Sequence, residues 1–181
     1  MIKKIMQKIS AVPVKGIFGK IYNYTNTSGY MRYYIKYLRR LGININGTPK
    51  YISSDAYFDG NDYSKISLGD NVTVSRETMF LTHDYSITTA MASIGRRIER
   101  GEGEMYFSQP ITVGNNVFIG ARASLLPGTD IGDNCIIGAG CVVKGTIQPD
   151  SIVVGNPAKI IGSVSAFAEK HSAAQDYLIE K

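Results

Sequence analysis

An all-β fold built as a parallel β-helix is what this sequence predicts, and two observations predict it. Nine hydrophobic residues fall on a six-residue beat: Leu68, Val74 and Phe80, then Val113, Ile119, Leu125, Ile131, Ile137 and Val143. In five of these nine hexads the next residue is glycine: Gly69, Gly114, Gly120, Gly132 and Gly138. If about a third of positions carried such a side chain by chance, nine hits in nine would occur on the order of once in 20,000 trials, so the period is a fold-level signal. Six fits neither an α-helix nor an alternating strand. It fits a triangular coil in which each hexad forms one side and three hexads complete a turn of 18 residues.

The physics of such a coil assigns roles within the hexad. The first residue points inward and stacks on its equivalent one turn away. The glycine follows where the backbone bends and a side chain would crowd or need positive φ. The fifth residue also points inward and is small or β-branched: Val72, Thr78, Val117, Ala123, Thr129, Cys135 and Cys141. One coil cannot bury its own core, so stability comes from stacking. An ordinary β-sandwich would instead show turn signals every 8–12 residues and no strict sextet.

Taken in order, residues 1–42 read as a basic helical appendage. Met1–Ile9 is a short basic amphipathic stretch, broken near Pro13 and Gly16. Tyr30–Leu41 has helical character, with Tyr34, Tyr37, Leu38 and Leu41 on one face and Arg32, Lys36, Arg39 and Arg40 interleaved. Two roles stay open for it: a cap on the open end of the β-helix, or a basic aromatic helix resting on an anionic membrane surface or lipid-linked substrate. Coils occupy residues 43–162. The early register is loose: Ile45, Tyr51 and Tyr57 keep the six-residue step, then Gly60–Lys65 interrupts it. One complete coil runs from Leu68 to Tyr85 and two more from Val113 to about Gln148. Residues 86–109 break the pattern, and Arg96, Arg97, Glu99, Arg100, Glu102 and Glu104 with Gly101 and Gly103 read as an extended arm reaching toward a neighbouring subunit. Residues 163–181 read as a short C-terminal helix.

Composition narrows the function classes. The net charge of +5 hides an asymmetry: ten of the 20 Lys and Arg lie in residues 1–54, which hold no acid. That segregation points to an anionic partner for the N-terminal part. No nucleic-acid recognition motif accompanies it, so nucleic acid is not the expected partner. No run of 18 apolar residues predicts a transmembrane helix. The N-terminus lacks the continuous apolar core and small-residue cleavage site of a signal peptide. Cys135 and Cys141 fall on adjacent faces and read as small core fillers of a reduced protein, with no disulfide and no metal site. A cytoplasmic location is the expectation.

Of the two histidines, His171 lies in the polar C-terminal tail. His83 sits in Leu81-Thr82-His83-Asp84-Tyr85, in the last hexad before the insertion, and Asp84 occupies a position that should point inward. Local rule-breaking in a regular sequence marks a functional site.

The hexads together with LTHDY, the charged insertion, VGNNVFIGARASLLPG, IGDNCIIGAGCVV and VVGNPAKIIG resemble the hexapeptide-repeat acyltransferases over about residues 43–162. They are most similar to the branch of maltose and galactoside O-acetyltransferases and the enzymes that O-acetylate surface polysaccharides. The resemblance implies a left-handed β-helix, a homotrimer, acetyl-CoA bound in the groove between two subunits, and His83 as general base. It also implies donor contacts at Ala121, Ala139, Lys144, Gly145 and Lys159. Lys144 stands one place away from the family's lysine. The acceptor, a sugar hydroxyl, would meet Asp55, Asp84 and Tyr85; Asp84 either orients the imidazole or caps the turn. No metal is implied. Three other functions compete: transfer to a small acceptor such as a xenobiotic or serine, a zinc-dependent β-helix carbonic anhydrase, and a non-catalytic scaffold. The anhydrase needs three histidines at its zinc, and the β-helix here holds one.

Overall fold

The computed structural model of the protein describes residues 21, 24–60 and 62–179. Residues 1–9, read above as a basic amphipathic stretch, lie outside them. The chain winds into a left-handed parallel β-helix with three faces. The first face stacks β1 (Asn44–Ile45), β4 (Ile66–Leu68), β9 (Ile111–Val113), β12 (Asp130–Ile131) and β15 (Thr146–Ile147). The second stacks β2 (Tyr51–Ile52), β5 (Thr73–Val74), β10 (Phe118–Ile119), β13 (Ile136–Ile137) and β16 (Ser151–Val154). The third stacks β3 (Tyr57–Phe58), β6 (Met79–Phe80), β11 (Ser124–Leu125) and β14 (Val142–Val143). Where no residues intervene, partners stand one 18-residue turn apart: Thr112 pairs with Asp130, Phe118 with Ile136 and Ser124 with Val142.

The hexad roles hold from Leu68 onward; in the first coil the inward position slips by one residue, to Ile52 and Phe58, and Tyr57 faces out. All nine leading hydrophobics and all seven fifth residues are buried. Cys135 and Cys141 are free buried thiols, and their Sγ atoms donate to Gln148 O (3.3 Å) and Val153 O (3.4 Å).

The glycine position is a matter of crowding and not of backbone hand. A Cβ on Gly120 would lie 2.5 Å from Ala139 N of the next coil, against backbone that cannot yield. The left-handed backbone falls instead on the fourth residue of the hexad, at Asn71, Glu77, Asn116, Arg122, Gly128, Asn134 and Gly140. Asparagine tolerates that conformation best among residues with a side chain, and three of them form a ladder. Asn71 Nδ2 donates to Asn116 Oδ1 and Asn116 Nδ2 to Asn134 Oδ1, both at 2.8 Å.

Helix α1 (Thr27–Leu41) closes the first-coil end. The Asn26 side chain accepts from Gly29 N at its start, and Gly42, at φ 111°, ends it. Its apolar face, Tyr30, Met31, Tyr34, Ile35, Tyr37 and Leu38, is buried in the same core as the coils. Exposed Arg39 reaches along the first coil to donate to Ile45 O (3.1 Å) and Gly47 O (2.7 Å). Burial pushes the Tyr30 phenol up to about 12, against the opposing effect of its hydrogen bond with Ser54. Tyr34, also pushed up by burial, keeps a buried hydroxyl with no partner among the described residues. An unpaired buried hydroxyl costs about 1–3 kcal/mol. Tyr34→Phe is therefore expected to leave chemical-denaturation stability unchanged or raise it by roughly 1 kcal/mol. A loss of that size would mean the hydroxyl has a partner after all.

At the other end β17 (Lys159–Ser163) runs antiparallel to β16. It leads into a helix over Val164–Ala174, which Ser163 Oγ caps by accepting from Ala166 N. Asp150 accepts from Ser165 N (2.8 Å) and Ser165 Oγ (2.6 Å), and these bonds hold its carboxyl below the usual range. In place of a wholly extended arm, the insertion opens with helix α2 (Ser86–Ser93) and returns through a short strand. No helix among the described residues is long and apolar enough to cross a membrane.

Candidate active site

Stacking of the first two coils brings Asp59 beside His83. Phe58 pairs with Phe80, and Asp59 N donates to Phe80 O at 3.0 Å. The residues after these strands therefore leave the third face at one corner. There the Asp59 carboxylate, 2% exposed, accepts from Thr82 N (3.0 Å), from Thr82 Oγ1 (3.1 Å) and from His83 Nδ1. A carboxylate this deep is tolerated because three donors replace its water. An ionised carboxylate only accepts, so it holds the ring proton on Nδ1 and leaves the Nε2 lone pair available. No hydrogen bond to Nε2 forms among the described residues, and the side chain remains 23% exposed. A histidine held in this way can take a proton from a bound hydroxyl.

The insertion is anchored at the same place. The strand β7 (His83–Asp84) pairs antiparallel with β8 (Phe107–Ser108), His83 opposite Ser108. Gln109 N donates to Thr82 O at 3.0 Å, and Ser108 Oγ donates to the same carbonyl at 3.3 Å. Lys65 Nζ donates to Ser108 Oγ at 2.5 Å. This pairing brings Tyr85 and Tyr106 against the imidazole, with ring centroids 5.3 and 6.2 Å from it and 5.0 Å from each other.

Of the two roles open to Asp84, the structure favours the cap. Its exposed carboxylate accepts from Ser86 N at 2.7 Å, at the start of α2. That bond, then the one from the Ser86 hydroxyl, holds its carboxyl below the usual range; Lys144 and His83 add smaller effects. The group that orients the imidazole is Asp59.

The remaining residues divide between two corners. Lys144 and Gly145 follow β14, at the corner that His83, Asp84 and Tyr85 occupy two coils away, and Lys144 is close enough to act on Asp84 electrostatically. Ala121 and Ala139 lie at the preceding corner, between the second and third faces, where Gly140 N donates to Ala121 O at 2.8 Å. Asp55 is at that corner too, paired with Arg76 at 3.6 Å. Exposed Lys159 begins β17, next to Ala158, whose N–H donates to Val142 O on the third face. The third face thus separates the histidine from the two alanines within one chain. No group of three His, Cys, Asp or Glu among the described residues is placed to hold a metal ion.

The sequence reading missed Asp59 and Tyr106. The signal for Asp59 was an acid directly after an inward-facing strand pair, before the Gly60–Lys65 interruption. The interruption spoils the 18-residue count, so Tyr51 pairs with Thr73, 22 positions on, and the approach of Asp59 to Thr82 and His83 could not be counted out. Tyr106 reaches the histidine only through the β7–β8 pairing, which no periodicity announces.

Known proteins carry the same repeat. Residues 110–145 match the family model described as bacterial transferase hexapeptide (six repeats). The galactoside O-acetyltransferase of Escherichia coli (strain K12) is 35% identical over 120 residues, 66% of this chain and 54% of that protein, so the chain spans about half of that relative's length. The protein CapG of Staphylococcus aureus is 33% identical over 140 residues, 77% of each chain. A hexapeptide-repeat-containing acetyltransferase of Vibrio cholerae O1 biovar eltor, solved complexed with acetyl coenzyme A, superposes with a TM-score of 0.57. It is 27% identical and covers 68% of this chain and 61% of that one. On its repeats, its three-faced coil and these relatives, the chain belongs to the bacterial hexapeptide-repeat transferase family.

Proposed function

We propose that the protein is an acetyl-CoA-dependent O-acetyltransferase that modifies a sugar hydroxyl of a surface glycan or polysaccharide precursor. The observation that carries this reading is the buried Asp59–His83 pair with a free Nε2 at an accessible corner. In the proposed reaction the acceptor hydroxyl gives its proton to His83 Nε2 while its oxygen attacks the thioester carbon. A backbone N–H stabilises the tetrahedral oxyanion. The C–S bond then breaks, the proton passes from the imidazolium to the leaving thiolate, and the products are the acetyl ester and CoA. No covalent enzyme intermediate is needed, and both cysteines are buried away from the surface.

Ala121 and Ala139 are small enough for a pantetheine arm to lie against the coil, and Lys144, Gly145 and Lys159 line its way to the phosphates. The separation of these alanines from His83 by the third face favours a site shared by two copies; that the assembly is a homotrimer rests on the family resemblance. Such an enzyme works where acetyl-CoA is, in the cytoplasm. The test is thermal shift with millimolar acetyl-CoA, against matched ATP as polyanion control, on protein whose mass is known from light scattering. A ligand at a hundredfold excess over Kd stabilises by roughly 2.7 kcal/mol. A shift with acetyl-CoA alone is expected; none, in a folded trimer, moves the reading to a scaffold. A monomeric mass would remove the shared site.

The acid-free N-terminal part supports a peripheral contact with an anionic membrane, where a lipid-linked precursor would be met. Because α1 spends its apolar face on the core, its exposed Arg32, Lys36 and Arg40 act by charge alone. Co-sedimentation with phosphatidylserine vesicles is expected at low salt and lost at high salt. Equal recovery with neutral vesicles would refute it.

A further inference from the structure

Two large aromatic rings stand in water beside the candidate base. Tyr85 is 40% exposed and Tyr106 50% exposed. Their rings are tilted 39° to one another and stand at 90° and 82° to the imidazole. They come from opposite ends of the insertion: Tyr85 precedes α2 and Tyr106 precedes β8. The pairing of β7 with β8, secured by Lys65 on Ser108, is what brings them together. Neither ring enters the core, so packing of the β-helix does not account for them.

We propose that Tyr85 and Tyr106 form a stacking platform for the pyranose ring of the acceptor. This rests on the acetyl-transfer reading above and names how its acceptor is held. An aromatic face is electron-rich at its centre, and the axial C–H bonds on one face of a pyranose are weakly positive. A sugar laid on that face buries its apolar side and leaves its equatorial hydroxyls at the rim. A rim hydroxyl then points sideways, toward the ring nitrogen that Asp59 leaves free. The adenine of the donor is not a competing occupant, because the pantetheine arm separates it from the thioester that must reach His83. An acyclic polyol has the same hydroxyls and no rigid apolar face, so the platform discriminates against it.

The experiment compares methyl β-galactopyranoside with galactitol as acceptors for the full chain and for Tyr85→Ala, Tyr106→Ala and the two Phe variants. For the glycoside, KM is expected to rise on the order of 3–20-fold in each Ala variant and to return in each Phe variant. Galactitol turnover is expected to stay within about twofold. Saturation-transfer NMR reads the same contact without turnover: the ring C–H protons of one sugar face should saturate, and lose saturation in Tyr106→Ala. Equal loss for both acceptors, no change in KM, or faster turnover of benzyl alcohol than of the glycoside would overturn the platform. One-faced saturation with no acetyl transfer would keep the platform and remove the transferase reading. Acetyl transfer with an unchanged KM in both Ala variants would do the reverse.

Discussion

His83→Ala is expected to lower kcat for acetyl transfer by about 10²–10⁴-fold while leaving acetyl-CoA affinity within about twofold. The asymmetry follows from where the side chain lies. In the proposed reaction Nε2 meets the acceptor hydroxyl only as its proton leaves, so removing the ring would take away an interaction made in the transition state. The donor contacts proposed at Ala121, Ala139 and Lys159 do not involve it. Steady-state release of CoA thiol with a glycoside acceptor measures the first quantity and thermal shift the second. A kcat within threefold of the parent would end the assignment of His83 as base. A matching loss of acetyl-CoA affinity would recast it as a binding residue.

Asp59→Asn should cost on the order of 10–10³-fold in kcat, for a different reason. Thr82 N, Thr82 Oγ1 and His83 Nδ1 all converge on one oxygen of the carboxylate; an amide oxygen can take its place, but it is neutral and accepts more weakly. The imidazole loses the charge that favours its protonated form during transfer. Residues that act as a unit are non-additive. The double variant with His83→Ala should therefore be no slower than His83→Ala alone. The same change should cost about 1–3 kcal/mol of stability, because charge-assisted hydrogen bonds are replaced by weaker neutral ones. Multiplying losses in the double variant would show that Asp59 works apart from His83.

The coil was legible because its rule is local and repeated. Nine positions six apart, and seven small residues four places after a leading hydrophobic, are set by which side chains fit inside a narrow triangular tube, and every one of them is buried. His83 was legible as a break in that rule. Helix α1 was legible as amphipathic, but its destination was not. The same stripe of tyrosines and leucine serves a core or a membrane interface, and contact with the first coil resolves it as a cap. The reason for the glycine stayed open in the sequence, because glycine answers equally to crowding and to positive φ; the structure resolves it as crowding, and the positive φ falls two residues on, most often at asparagine.

Period, inward positions and the exceptional histidine thus follow from the order of residues alone, since each depends on neighbours within one turn. The partner of that histidine does not. Asp59 lies 24 residues away and Tyr106 beyond a long insertion, and both reach it through strand pairings whose register an irregular loop displaces. The division of the remaining residues between two corners likewise needs the coil to be closed before it exists. A repeat can be counted along the chain, whereas a site made across coils depends on stacking, and stacking is a property of the folded backbone.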